Sequence, residues 1–315
     1  VCEDPACASL TVTTVDDTAD AQVGQWTSLV LDASGNPRIS YSSDPDVGDS
    51  GLKLAVCHDP TCSTSTLRLV DNPLNQTVGD HSSMVLDGDG YPVIAYHSHS
   101  SGKLKLAHCD DATCSTATIT DVHEQSPMAL GKRVSLALDA AGNPIMSYIE
   151  YAPSVDLWLA HCTDPNCTTA PTLQEIVTGD ILPATRSMVL DPAGNPIIAY
   201  YERVDDDLKV VHCDDPTCAT STINTVDSTD EVGSDLAMAL NAVGNPVISY
   251  YDITHGDLKL ALCHDPDCSD ATVVVLQSGG DTGKWTSLTL DVAGNPIVAY
   301  FDDENDELRL AALML

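Results

Sequence analysis

GKRVSLALDAAGNPIMSYIEYAPSVDLWLAHCTDPNCTTAPTLQEIVTGD, residues 131–180, contains one full structural unit of this chain. GKRVSLALD reads as a first strand, ended by the turn Asp139 to Pro144. IMSYIE is a second strand, followed by a loop through Pro153. VDLWLAHC is a third, ending in the Cys162–Cys167 turn, and TLQEIVTGD is a fourth strand with its exit. Each run is short, β-branched or alternating, and bounded by Gly, Pro, Asn and Asp. No segment sustains a 3.6-residue apolar period, so helices are expected to be scarce.

The unit repeats. Cys2-Cys7, Cys57-Cys62, Cys109-Cys114, Cys162-Cys167, Cys213-Cys218 and Cys263-Cys268 share one C-x4-C spacing, and successive first cysteines lie 50 to 55 residues apart. A second marker keeps step: Gly35-Asn36-Pro37, Gly90-Tyr91-Pro92, Gly142-Asn143-Pro144, Gly194-Asn195-Pro196, Gly244-Asn245-Pro246 and Gly294-Asn295-Pro296. Six evenly spaced units of four antiparallel strands predict an all-β, six-bladed β-propeller in one domain over 1–315. The competing readings are a β-solenoid and separate β-domains. The ends discriminate: LTVTTVDD supplies a lone fourth strand, while WTSLTLD, PIVAYFD and ELRLAAL supply strands one to three. Residues 1–20 and 283–315 are therefore expected to share a closing blade, which removes exposed sheet edges. Leu313 stands where the other repeats place their first cysteine, with Cys2 filling that role from the other end.

Each C-x4-C brackets a hairpin turn, across which a disulfide can span. Zinc would require two further ligands beside each pair; His108, His161 and His212 precede their cysteines, but strand alternation turns them to the other face. No C-x-x-C-H is present for covalent haem. Twelve paired cysteines imply an oxidising compartment, extracellular, cell-surface or periplasmic. The chain carries 13 basic and 47 acidic side chains, net charge −34, which repels phosphate backbones and excludes nucleic acid as a partner class. No stretch has the roughly 18 apolar residues of a transmembrane helix. Val1 follows no charged-then-apolar leader, so a signal peptide or upstream domain is expected to have been removed.

Strand order places turns one-to-two and three-to-four on one side of the disc and the strand-one entries on the other. The turn side is monotonous. Asp32, Asp87, Asp139, Asp191 and Asp291 read as turn caps, with calcium binding as the alternative and no other cofactor indicated. The entry side varies: Gln25-Trp26-Thr27, Asp80-His81-Ser82, Lys132-Arg133-Val134, Ala184-Thr185-Arg186, Ser234-Asp235-Leu236 and Lys284-Trp285-Thr286. These triplets hold Lys132, Arg133, Arg186 and Lys284, four of the 13 basic residues. Strand-two exits add His97, Glu150, Tyr201, Glu202, Tyr251, Asp252, Phe301 and Asp302. A pocket at the channel mouth is expected to use Trp26 and Trp285, neighbours on ring closure, as aromatic platforms. Arg133 and Arg186 would supply anion or sugar contacts, and His81, Lys132, Tyr201, Glu202, Asp235, Tyr251, Asp252 and Lys284 would line the rest. The alternative is that all of these are ordinary rim residues. Lys53, Lys105, Lys209, Lys259 and Arg309 recur in strand three and read as long side chains covering the outer blade surface. Trp158 replaces that residue in the third repeat, facing a protein partner or the neighbouring blade.

The repeat LD-x-x-GNP-x-I-x-Y followed by LKLA-x-C-x-DP-x-C resembles tandem repeats of secreted bacterial propeller-like proteins, mostly of unassigned role. That resemblance covers essentially the whole chain, implies fold and export, and brings no catalytic residues with it. The expected function is a non-catalytic extracellular module binding a glycan, an anion or another extracellular protein, or a subunit of a surface assembly. The alternative is a polysaccharide hydrolase or lyase using Glu150, Glu202, Asp252 and Asp302, with His81 or Tyr201 as acid or base. There is no G-x-S-x-G, no H-E-x-x-H and no phosphate-binding glycine loop to favour catalysis.

Overall fold

The computed structural model describes residues 12–17, 23–43, 51–73, 77–124, 132–151, 154–179 and 181–314, the side chains of 181–186 excepted. The chain is all-β, with six blades of three or four antiparallel strands: a six-bladed β-propeller. Blade one comprises β1 (Val23–Leu31), β2 (Pro37–Ser43), β3 (Leu52–Cys57) and β4 (Ser65–Asp71). Blade two comprises β5 (Val78–Leu86), β6 (Pro92–Ser98), β7 (Lys103–Cys109) and β8 (Ala117–His123). Blade three comprises β9 (Lys132–Leu138), β10 (Pro144–Glu150), β11 (Asp156–His161) and β12 (Thr172–Val177). Blade four comprises β13 (Ile181–Leu190), β14 (Pro196–Glu202), β15 (Asp207–Cys213) and β16 (Ser221–Asp227). Blade five comprises β17 (Val232–Leu240), β18 (Pro246–Asp252), β19 (Asp257–Cys263) and β20 (Ala271–Gln277). Blade six has three described strands, β21 (Thr282–Leu290), β22 (Pro296–Asp302) and β23 (Glu307–Ala312). Two compact units are distinguished, Val1–Ala152 with Ala160–Thr172, and Pro153–Leu159 with Leu173–Leu315.

The middle strands read as unbroken apolar runs because both of their faces are covered. In the first unit Leu52, Leu54 and Val56 of β3 pack on Val78, Met84, Ile94 and Tyr96 of blade two. In the second, Leu208 and Val210 of β15 pack on Val232, Met238, Ile248 and Tyr250 of blade five. Each fully buried leucine or valine contributes about 1.5–3 kcal/mol. Five disulfides close the three-to-four turns, Cys57–Cys62, Cys109–Cys114, Cys162–Cys167, Cys213–Cys218 and Cys263–Cys268, with Cα atoms 4.8 to 5.1 Å apart. Cys2 and Cys7 lie outside the described residues.

Three of the five strand-three cations do not cover an outer surface as expected. Lys53, Lys105 and Lys259 are buried, and each is paired with an acid from the end of the preceding strand four or its equivalent. Asp71 accepts from Tyr96 Oη (2.5 Å) and Lys105 Nζ (2.7 Å) of blade two. Asp227 accepts from Tyr250 Oη (2.7 Å) and Lys259 Nζ (3.4 Å) of blade five. A buried ammonium must be paired, so in blades one, two and five the slot is a blade-to-blade latch, while Lys209 and Arg309 pair with acids of their own blades. Blade three has lost both halves together: His123 stands in the acid position and bonds Tyr148 Oη (2.8 Å), and half-buried Trp158 stands in place of the lysine. Asp16 repeats the latch on blade one, bonding Tyr41 Oη (2.7 Å) and Lys53 Nζ (3.2 Å). It stands 25 residues before its tyrosine, as Asp71 does. Residues 12–17 carry no strand assignment, yet they hold blade one as the end of β4 holds blade two.

Candidate binding site at the strand-one entries

Strand one opens on a glycine. Gly24, Gly79, Gly233 and Gly283 have φ of 90°, 99°, 103° and 110°. At Gly79, Gly233 and Gly283 an added Cβ would lie 2.8–2.9 Å from the Cα of Leu52, Leu208 and Leu258. The inner strand of one blade is thereby pressed onto the start of strand three in the blade before it.

Two residues further on the ladder breaks. In blades one, two, five and six, two strand-one residues oppose a single strand-two tyrosine: Trp26 and Thr27 opposite Tyr41, His81 and Ser82 opposite Tyr96, Asp235 and Leu236 opposite Tyr250, Trp285 and Thr286 opposite Tyr300. In blade three Arg133 and Val134 oppose Tyr148 in the same way. The first residue of each bulge is left-handed: Trp26 (φ 53°), His81 (55°), Arg133 (53°), Asp235 (47°) and Trp285 (50°). For a side chain with a Cβ that conformation costs roughly 1–2 kcal/mol. Bulges of this kind re-aim a side chain out of the ladder. Blade four departs: Ile181 pairs with Glu202 and Arg186 with Tyr200, and no glycine opens its strand.

The strain is held by hydroxyl straps. Ser82 Oγ donates to the Trp26 carbonyl (2.8 Å) and bonds Ser40 Oγ (2.9 Å). Thr286 Oγ1 donates to the Asp235 carbonyl (2.7 Å) and bonds Ser249 Oγ (3.0 Å). In blades two and six the residue after the left-handed position thus reaches back and fixes the left-handed residue of the previous blade.

In the first unit these positions converge. β1, β5 and β9 run side by side, so Trp26, His81 and Arg133 form consecutive members of one row. The Trp26 and His81 rings lie 3.8 Å apart, inclined by 46°, and Trp26 remains 42% exposed. His97 follows at 6.5 Å from His81, and His99 at 6.2 Å from His97. Asp80 Oδ2 lies 3.7 Å from His99 Nδ1. Burial pushes the Asp80 carboxyl above the ordinary aspartate range, against the pull of His99 and Lys132. Lys132 Nζ sits 4.6 Å over the Tyr151 ring, a cation–π contact. The row is an aromatic shelf with imidazoles and two cations along it. Among the described residues no group of three or more His, Cys, Asp or Glu is placed to hold a metal ion.

The second unit arranges its share differently. Trp285 stacks near Phe301 (5.3 Å, 34°). Lys284 is clasped by Asp281 (2.6 Å) and Asp303 (2.5 Å), and Tyr251 Oη also donates to Asp281. Tyr201 is buried, its hydroxyl donating to Asp206 (2.5 Å) and Glu231 (3.2 Å). Glu202 accepts the N–H groups of Val204 and Asp205 and the ammonium of Lys209. Asp252 and Asp302 are fully buried, capping the turns at His255 and Asn305 and pairing with Lys259 (2.7 Å) and Arg309 (2.9 Å). These three acids close their own loops. Arg186 lies on β13 opposite Tyr200. His99 and Tyr151 join the site without having been singled out in the sequence. The signal for the row itself was present, as a glycine two residues before each left-handed position.

No protein-family model matches the chain, and no curated protein matches it in sequence. Solved structures do match in fold. An α-L-arabinanase of Penicillium chrysogenum, complexed with arabinobiose, superposes with a TM-score of 0.60 at 13% identity, over 92% of each chain. The BP39L lectin of Burkholderia pseudomallei gives 0.61 at 9%, over 92% of this chain and 81% of that one. A protein of unknown function from Dyadobacter fermentans gives 0.60 at 11%, over 91% and 93%. At these identities the likeness is one of fold.

Proposed function

We propose that the chain is an extracellular, non-catalytic carbohydrate-binding module whose site is the row Trp26, His81, Lys132 and Arg133 in the first unit. One observation carries this reading: a backbone device repeated in five blades presents four different kinds of side chain. Trp, His, Arg, Asp and Trp occupy equivalent left-handed positions. A device serving folding alone would be filled by the cheapest left-handed residues, Gly or Asn. A lectin with one site per blade would repeat one residue. Unlike residues at like positions suit a single asymmetric ligand.

The chemistry fits a sugar chain. A half-exposed indole edged by imidazole offers an apolar shelf for the C–H face of a pyranose, with polar groups at its edge. Lys132 and Arg133 add affinity for a carboxylate or sulfate on that sugar. Five disulfides suit an oxidising compartment, and the fold likeness to a lectin and an arabinanase supports the ligand class. The test is a glycan array probed with the oxidised protein, followed by titration of the strongest binder. Trp26→Ala and Arg133→Ala are each expected to weaken it about tenfold or more. Unchanged affinity in both variants rejects the site.

Asp80 favours a second reading, a polysaccharide hydrolase, because a carboxyl raised by burial is what a general acid requires. Release of reducing ends from the array's best ligand, lost in Asp80→Asn, would establish that reading in place of the first.

A further inference from the structure

Trp285 is 69% exposed, more than any other tryptophan of the chain. Its left-handed backbone (φ 50°) holds the indole outward, beside the chain's single phenylalanine, Phe301. An exposed indole backed by a half-buried phenylalanine is an interaction surface in the making. Its rim is acidic. Asp281 and Asp303, with side chains 41% and 43% exposed, share the single ammonium of Lys284, leaving the pair of carboxylates with one uncompensated charge. The whole chain carries −34. This surface therefore differs from the first unit's row, where Lys132 and Arg133 supply positive charge.

We propose that Trp285 and Phe301, rimmed by Asp281 and Asp303, form a docking surface for an arginine-bearing segment of another protein. A guanidinium is planar and weakly hydrated; it stacks on an indole face while donating paired N–H groups to a carboxylate at its edge. An ammonium attracts the same carboxylates but gains less from the aromatic plane. The negative field of the chain steers such a segment inward. A glycan acid is repelled here, so the ligand class differs from that of the sugar row.

The experiment compares a tetra-arginine with a tetra-lysine peptide, equal in charge, by titration calorimetry at physiological salt. The arginine peptide is expected to bind at least about fivefold more tightly. Trp285→Asn leaves net charge unchanged and tolerates the left-handed backbone; it should bring the arginine peptide down to the lysine level, while Trp26→Asn changes neither. Asp303→Asn should cost about threefold. Equal affinity for the two peptides, no binding at millimolar concentration, or an unaffected Trp285→Asn overturns the proposal. So does loss of a neutral oligosaccharide, in place of the peptide, in Trp285→Asn: the platform would then be a sugar subsite.

Discussion

Strand one of each blade runs between two ends built on opposite principles. At its far end the turn into strand two is the same in blade after blade. Asp139 accepts the N–H groups of Ala141 and Asn143, and Asp32, Asp87, Asp191 and Asp291 do the same in their blades. A basic group often backs the carboxylate: Arg38 on Asp32, His108 on Asp87, His161 on Asp139 and His212 on Asp191. At the near end the backbone repeats in five of the six blades, but its side chains do not, and it is held against its own preference. The first end spends hydrogen bonds on one stable geometry. The second keeps a costly geometry while varying what it displays. Uniform chemistry serves one geometry, whereas uniform backbone with varied chemistry is what the proposed recognition would use.

The sharpest way to break this contrast is at the glycines of the near end. Gly233→Ala must fit a Cβ 2.9 Å from the Leu208 Cα at φ 103°. It should destabilise by about 2–5 kcal/mol in urea unfolding of the oxidised protein. Gly35→Ala, at φ 79° with nothing within 4 Å, should cost only about 1 kcal/mol. Equal losses would mean that the inner strand is not pressed onto the preceding blade.

The far end makes the second test, and the chain contains its own control. Blade five uses Asn241 where the others use aspartate, and Asn241 Oδ1 still accepts from Val243 and Asn245 (both 3.0 Å). Asp139→Asn should therefore cost below about 1 kcal/mol, whereas Asp139→Ala leaves two N–H groups and His161 without their acceptor and should cost about 2–3 kcal/mol. Thermal unfolding of the two variants side by side separates the outcomes.

Third comes the displayed side chain. Trp26→Asn relieves left-handed strain but forfeits the contact with His81, two effects of about 1 kcal/mol that oppose each other. Stability should move by less than about 1 kcal/mol while glycan affinity falls about tenfold. A large loss of stability with intact binding would make Trp26 a packing residue.

Much of this was legible in the sequence, for reasons that differ by element. The blades could be read because cysteine and Gly-Asn-Pro are rigid punctuation whose spacing survives any tertiary context. The turn aspartates could be read because their partners lie two and four residues away. The lysines of strand three could not: an alternating strand does not say whether the far side of a residue meets water or another blade, so Lys53, Lys105 and Lys259 were assigned to the surface although they are buried. Their acids, Asp16, Asp71 and Asp227, sit in the preceding repeat and have no local signature. Trp158 was noticed as an exception, but its meaning depends on His123, 35 residues upstream, which changes with it. The strand-one entries stand out in the sequence by their varied side chains, yet the glycine-led bulge beneath them is a backbone property that side-chain identities only hint at. Glu202 and Asp252 cap turns, a role that a carboxylate at a strand end fills by the same hydrogen-bonding capacity that suits it to a ligand.

The smallest effect tests whether the far end joins neighbouring blades as well as its own strands. His212 bonds two carboxylates at once, Asp191 in its own blade (3.1 Å) and Asp267 in the disulfide turn of blade five. Burial alone would lower the imidazole pKa; Asp267 and Asp191 overcome it, and the pKa is raised. A group whose folded pKa lies above its unfolded value stabilises the fold fully below that unfolded value, near 6.5. The contribution disappears as pH rises through the raised folded value. Stability should thus be greater at pH 5.5 than at pH 8.5 by an increment below about 1 kcal/mol, since Asp267 is partly exposed. Asp267→Asn should shrink that increment, whereas Asp205→Asn, a carboxylate near Lys209, should leave it in place. An increment that survives Asp267→Asn unchanged would confine His212 to its own turn, leaving the bond from Asn224 Nδ2 to the Asp267 carbonyl (2.9 Å) to join these two blades at the far end.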